Sequence, residues 1–348
     1  MALSDRILGR KNANGGPRIE GVVPPNALAG GEVRITGSGL RPQELLRPKV
    51  RFGDVESSII VSSDGFVVTR VPDGATSGPV VVATNGHVSN PHIVKVAVPI
   101  ADNLHPVTNP ALDAEGNIFV TFSGSRGQKV PVAIFKIDTN YTVRPAVPEM
   151  MNATSMAFDR QGQLYVSSRY DGAVYRIAAN GNMTTYAEGM GVATGIAFDR
   201  EQSLYVGDRN GTIFKISPDQ QVFVFATLDL SVSAYHLAFG PQGDLFVTGP
   251  TDRVYRIDPN GTVTTFYKGL GRPQGLAFDI DGNLYVAASL SGTRGIVKLT
   301  PDTKASLEVS GHGLVGLAFA PGRSVILATT GAVHHLSWDI QGMPLIPE

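Results

Sequence analysis

The sequence predicts an all-β chain in two parts, a β-sandwich followed by a six-bladed β-propeller, with a short polar segment ahead of both. Three observations carry this. Over residues 100–348 a phrase recurs, made of Ala-Phe, a turn and an apolar triplet. Its spacing is about 40 residues, the length of a four-stranded propeller blade. The residues before it alternate apolar and polar in short runs split by glycine and proline, without that repeat. Glycine (40) and proline (23) are plentiful, as a turn-rich all-β protein needs.

The clearest copy of the repeat spans residues 191–230. Gly195-Ile196-Ala197-Phe198 reads as its first strand and Leu204-Tyr205-Val206 as its second. Thr212 to Ile216 follows the hairpin signal Asn210-Gly211, and Val222 to Ala226 closes the unit. The Ala-Phe pair returns as Ala157-Phe158, Ala238-Phe239, Ala277-Phe278 and Ala318-Phe319. The triplets that follow are Leu164-Tyr165-Val166, Leu245-Phe246-Val247, Leu284-Tyr285-Val286 and Val325-Ile326-Leu327. A more divergent copy, Ala111-Leu112-Asp113 with Ile118-Phe119-Val120, brings the blades to six.

Residues 1–16 are polar and end in Asn14-Gly15-Gly16, which suits either a disordered tail or an arm that binds a partner subunit. Residues 17–98 read as a sandwich of short strands, among them Val33 to Thr36, Val50 to Phe52, Val67 to Val71 and Val80 to Val82. The elements Ile35-Thr36-Gly37-Ser38-Gly39 and Val71-Pro72-Asp73-Gly74 resemble those of an IPT/TIG domain. That resemblance implies an immunoglobulin-like fold acting as a spacer or contact module, and no catalytic residue. Residues 99–348 are left for the propeller. Its sixth blade ends weakly, because two prolines make the C-terminal residues a poor strand. The alternating segment 93–99 is therefore expected to supply the outer strand of blade six, so that the ring closes without an open edge.

Apolar residues make up 42% of the 348, enough for two cores. With 29 basic and 30 acidic residues, no charge excess points to nucleic acid or to an anionic membrane. The absence of cysteine removes disulfides, thiolate metal sites and cysteine nucleophiles. The start of the chain lacks the apolar core of a signal peptide, and no apolar run approaches a membrane span. The expected compartment is the cytoplasm, although an exported form without its leader reads the same.

The phrase Pro273-Gln274-Gly275-Leu276-Ala277-Phe278-Asp279-Ile280-Asp281-Gly282-Asn283-Leu284-Tyr285-Val286 resembles NHL-repeat propellers and, more distantly, the senescence-marker-protein/gluconolactonase family. The second resemblance implies a divalent metal at the top of the channel, held by Glu, Asn, Asn and Asp. The matching positions here, four residues before each repeat phenylalanine, are Thr108, Thr154, Thr194, Tyr235, Gln274 and Val315. None is a carboxylate, so no cofactor is predicted; a metal belongs only to the hydrolase alternative below. Asp279-Ile280-Asp281-Gly282-Asn283 mimics a calcium loop, but its counterparts in other blades mark it as a repeated β-turn. His334-His335 on a strand points to opposite faces and does not clamp one metal.

The candidate ligand-binding rim comprises His105, Arg169, Asp208, Arg209, Tyr235, His236, Arg272, Gln274 and His312. These residues stand where inner strands begin or in the turns on the same face. Turn residues are also polar simply because turns are solvated. His236 stands out, since other blades carry glycine, serine or asparagine at its position. Virginiamycin-type lyases pair histidine with glutamate near the axis, and no glutamate accompanies the histidines here. The expected function is a binding or scaffold protein whose propeller top face engages a protein, peptide or small ligand, with no nucleic-acid or membrane partner. The alternative is a lactonase- or lyase-like hydrolase with a divergent centre built from His105, His236, His312, Arg169, Arg209 and Arg272.

Overall fold

The computed structural model describes residues 16–42, 47–125, 127–228 and 235–344, and among them it contains strands and no helix. No helix is therefore long and apolar enough to cross a membrane. All of the expected N-terminal tail except Gly16 lies outside the described residues, as do residues 345–348. The chain divides into two compact units, 1–96 and 97–348.

The first unit is a sandwich of two antiparallel sheets. One runs in the order Arg18–Val23, Glu32–Ser38, Phe66–Arg70, Ile59–Ser62. The other runs Val55–Ser57, Lys49–Phe52, Gly78–Thr84, His92–Val96. Alternate residues point inward, so Ile19, Val33, Ile35, Val50, Phe52, Val67, Val80, Val82, Val94 and Val96 form one core.

The second unit is a ring of six four-stranded sheets. Blade one holds Ala111–Leu112, Ile118–Thr121, Val132–Ile137 and Val143–Pro148. The inner strands of blades two to six are Ala153–Phe158, Ala193–Phe198, His236–Phe239, Leu276–Phe278 and Leu314–Ala320. At the end of four inner strands an aspartate makes the turn. Asp113, Asp159, Asp199 and Asp279 each accept the main-chain amide four residues on, at 2.7–2.8 Å. The second oxygen of Asp279 takes Asn283 Nδ2 and Tyr285 Oη, so the calcium-loop lookalike is a β-turn, as expected.

Adjacent blades are joined by one repeated contact. The second-strand aromatic of a blade meets the inner-strand phenylalanine of the next blade edge to face. The pairs are Phe119–Phe158, Tyr165–Phe198, Tyr205–Phe239, Phe246–Phe278 and Tyr285–Phe319, with centroids 4.9–5.3 Å apart. Between blades six and one, Ile326 and Leu112 share an aliphatic cluster instead.

Blade six does borrow its outer strand from upstream, but the strand is Val98–Ala101, not 93–99. Val98 pairs with His335, Pro99 with His334 and Ala101 with Val333. His92–Val96 belongs to the sandwich, where Val94 and Val96 are core residues and His92 pairs with Val80.

Two outcomes follow from this packing. Phe198→Ala removes a buried ring that packs on Tyr165 and leaves a cavity, and urea denaturation is expected to show a loss of about 3–5 kcal/mol. A chain starting at Ala97 keeps the closing strand, whereas one starting at Asp102 leaves Val333–Ser337 as an open edge. The first is expected to run as a monomer in size-exclusion chromatography and the second to aggregate.

Candidate functional site

The inner strands surround a central channel, and their hydrogen-bonding parity decides what faces it. In blade three Asp199 donates to Ser203 O, and Ala197 stands opposite Tyr205. Ala197 and Asp199 therefore bond within the blade, and the amides and carbonyls of Ile196 and Phe198 face the axis. The same count gives Met156 and Phe158 in blade two, Leu237 and Phe239 in blade four, and Leu276 and Phe278 in blade five.

One end of the channel is closed by the residues two before each repeat alanine: Asn109, Ser155, Gly195, His236, Gly275 and Gly316. Three glycines make room for two larger side chains. A Cβ on Gly275 would sit 1.9 Å from Asn109 Oδ1, one on Gly316 2.6 Å from Asn109 N, and one on Gly195 2.9 Å from His236 Cα. Asn109 uses the space to stitch two blades together. Its Nδ2 donates to Leu276 O at 2.8 Å, and its Oδ1 accepts from Leu317 N at 3.1 Å. His236 reaches across the axis, placing Nδ1 3.2 Å from Thr108 Oγ1. Blades one and four stand opposite each other, so this single bond spans the ring.

Behind the closure lies a cavity of about 910 Å³. Ala157, Ala197, Ala238 and Ala277 line it together with Phe158, Phe198, Phe239 and Phe278. At its far end it meets the turn residues Asp199, Arg200, Glu201 and Gln242. Lys215 pairs with Asp199 there at 3.5 Å.

Of the expected rim residues, His236 and Gln274 lie toward the closed end, Gln274 bonded to Arg294 and His236 under the influence of the same guanidinium charge. The Arg294 guanidinium donates to Gln274 Oε1, to Arg272 O at 2.7 Å and to Leu314 O. Tyr235 is only 2% exposed and packs in the core shared by blades three and four, its carbonyl accepting from Gly195 N. Asp208 is buried and accepts from Val192 N at 2.8 Å. Arg209 is half-buried and ties its turn back through its amide to Val192 O. Arg169 reaches Ser123 Oγ and Gly124 O at 3.4 Å. His105 is exposed, stacks edge-on against Phe122 and faces Thr330 O at 3.3 Å. Arg272 and His312 are exposed.

The three histidines thus do not converge. Among the described residues no group of three His, Asp or Glu side chains is placed to hold a metal ion. The threonines at the gluconolactonase ligand positions are occupied in tying strands: Thr154 donates to Asn152 O and Thr194 to Gly207 O. A divalent cation needs carboxylate charge and free oxygens, and these residues supply neither. Sequence reasoning missed the clamp formed by Arg294 and the stitch formed by Asn109. The second was legible as a bulky residue in a register otherwise rich in glycine.

Burial, with a smaller contribution from the nearby Arg294 charge, pushes His236 down from 6.5 to about 4. Burial first and then Arg272 bring Arg294 down to about 10. His236 is therefore neutral in the fold near neutral pH. Between pH 6.5 and 4 the unfolded chain takes up the proton and the folded chain does not, so stability falls as pH drops through that window. The shift corresponds to about 3 kcal/mol. Melting temperatures of the wild type should fall more steeply from pH 6.5 to 4 than those of His236→Gln; parallel curves would contradict a neutral, buried His236.

Residues 17–95 match the family model of the IPT/TIG domain. No curated protein matches the chain. Three solved structures show its fold. An auxiliary nutrient binding protein from Bacteroides ovatus superposes with a TM-score of 0.56 at 13% identity, over 92% of this chain and 98% of its own. A gluconolactonase from Xanthomonas campestris gives a TM-score of 0.57 at 16% identity, over 68% of this chain and 88% of its own. Virginiamycin B lyase from Staphylococcus aureus gives 0.51 at 14% identity, over 83% and 99%. At such identities the likeness is one of fold: the chain carries an IPT/TIG domain and a propeller built like those of gluconolactonases and virginiamycin lyases.

Proposed function

We propose that the propeller is a non-catalytic binding module whose ligand site is the central channel, with the IPT/TIG domain as spacer or contact module. One observation carries this reading: a cavity of about 910 Å³, lined by small and aromatic apolar residues and capped by a hydrogen-bonded polar end. Ligand pockets of folded proteins fall in this size range and share that composition. His236 and Gln274, from the expected rim, belong to the closed end; Arg169, Asp208 and Arg209 hold turns around it. Similarly built propellers include a nutrient-binding protein as well as enzymes, so the fold accommodates binding without deciding for it. The gluconolactonase-like reading would need a metal, and the donor set described above does not fit one.

Ala238 is only partly buried and borders the cavity, so Ala238→Phe projects a ring into it. A thermal-shift screen of sugars, nucleosides, amino acids and short peptides should give stabilising compounds for the wild type that Ala238→Phe no longer recognises. His312→Ala, on the exposed rim, should keep them. The opposite pattern would move the site to the rim. Calcium should shift the melting temperature by less than about 1 °C and support no gluconolactone turnover above buffer. A clear shift or turnover lost on chelation would reinstate the hydrolase.

A further inference from the structure

We propose that the ligand class of the channel is an extended peptide segment of a partner protein, bound by strand addition to the axis-facing edges of the inner strands of blades two to four. This deepens, and rests on, the reading of the channel as a ligand site. The chain itself shows the mode of binding. Beyond blade six, residues 341–343 turn into the channel and pair antiparallel with the axis-facing edge of blade five, Gly342 opposite Asp279. Ile280 N donates to Gln341 O at 3.0 Å and Met343 N to Phe278 O at 2.9 Å. Met343 then packs on the core of blade five, and Met343 and Pro344 line the cavity. An inner-strand edge of this propeller thus accepts an extended backbone, with an apolar side chain filling the space beside it.

The edges of blades two to six divide into two groups. Those of blades five and six are engaged at Leu276 and Leu317 by Asn109, and at Phe278 and Ile280 by the C-terminal segment. Those of blades two to four carry the same parity without such a partner. Among the described residues, no protein group reaches the axis-facing amides and carbonyls of Met156, Phe158, Ile196, Phe198, Leu237 and Phe239. Main-chain polar groups lining an apolar cavity favour a ligand that brings its own alternating donors and acceptors.

The side chains point the same way. Of the polar ones at the closed end, Thr108, Asn109 and His236 already bond to protein partners. Between its polar closed end and the charged turns at its far end, what the cavity offers a ligand is backbone, alanine and phenylalanine. Along that middle stretch a sugar or a nucleotide would find few side-chain donors, the cations Arg200 and Lys215 standing at the far end. An extended peptide with apolar side chains fits both the edges and the walls.

The test uses the full-length chain and a synthetic hexapeptide with the sequence of residues 339–344, Asp-Ile-Gln-Gly-Met-Pro, the one sequence here seen on such an edge. Residue-resolved hydrogen exchange by NMR is recorded with and without saturating peptide. The amides of Ile196, Phe198, Leu237 and Phe239 are expected to slow at least about tenfold, while those of Ala197 and Ala238, bonded within their own blades, stay unchanged. N-methylation of the peptide at one set of alternate amides should release the slowing in blade three and at the other set that in blade four, because a strand turns alternate amides to opposite neighbours. Ala238→Phe should abolish the effect. Absence of slowing, or slowing that survives methylation on both parities, overturns the peptide class. If a non-peptide compound still binds and is lost in Ala238→Phe, the channel remains a ligand site for another class. If neither probe responds to Ala238→Phe, the channel reading falls with it.

Discussion

The propeller depends on one contact used five times: an aromatic on the second strand of a blade set edge-on to the inner-strand phenylalanine of the next. Edge-to-face pairs are directional and add about 0.5–1.5 kcal/mol each beyond area burial. Direction matters more than strength here. Each pair sets the angle between neighbouring sheets, so five similar pairs with centroids 4.9–5.3 Å apart produce a regular ring. The bore of the channel follows from that regularity. The sixth junction lacks the pair and relies on Leu112 and Ile326, with the borrowed strand Val98–Ala101 holding the outer side of the same blade.

A ring of this kind leaves a hole, and the chain treats its two ends differently. At one end glycines at 195, 275 and 316 bring backbones close enough for Asn109 and His236 to fill the centre. The cost of burying a histidine there is limited by keeping it neutral and bonded to Thr108. At the other end the cavity meets the turns, with residues 341–343 entering along blade five. This asymmetry gives the channel a closed polar base and an apolar barrel.

Most of the fold was legible because the repeat is local. The Ala-Phe phrase and the apolar triplet mark first and second strands, and the Asn210-Gly211 pair marks a hairpin. The pattern puts the closing strand too early because Val94, Val96 and Val98 alternate without a break, and period two alone does not show where one sheet hands over to another. The C-terminal prolines correctly argued against an outer strand, yet Gly342 pairs elsewhere, on an edge no pattern in the chain announces. Within the site, His236 was visible as the odd residue of its register. Its bond to Thr108 was not, because it joins blades on opposite sides of the ring. The clamp made by Arg294 was hidden for a similar reason: its carbonyl partners come from separate segments that only the closed ring assembles.

The borrowed strand has a consequence for how the molecule comes into being. Blade six is the only sheet of the ring whose strands are not contiguous in sequence, among the described residues: Val98–Ala101 precedes every other strand of the ring and Val333–Ser337 follows them. During synthesis blades one to five have their own strands in hand as each is made, but the ring itself waits for Val333–Ser337. The search that joins residues so far apart is the slow, high-contact-order step. Until it is complete, the nascent propeller is an open arc with two unpaired ends, and at this stage, rather than in the finished fold, the protein is most exposed to pairing with a neighbour.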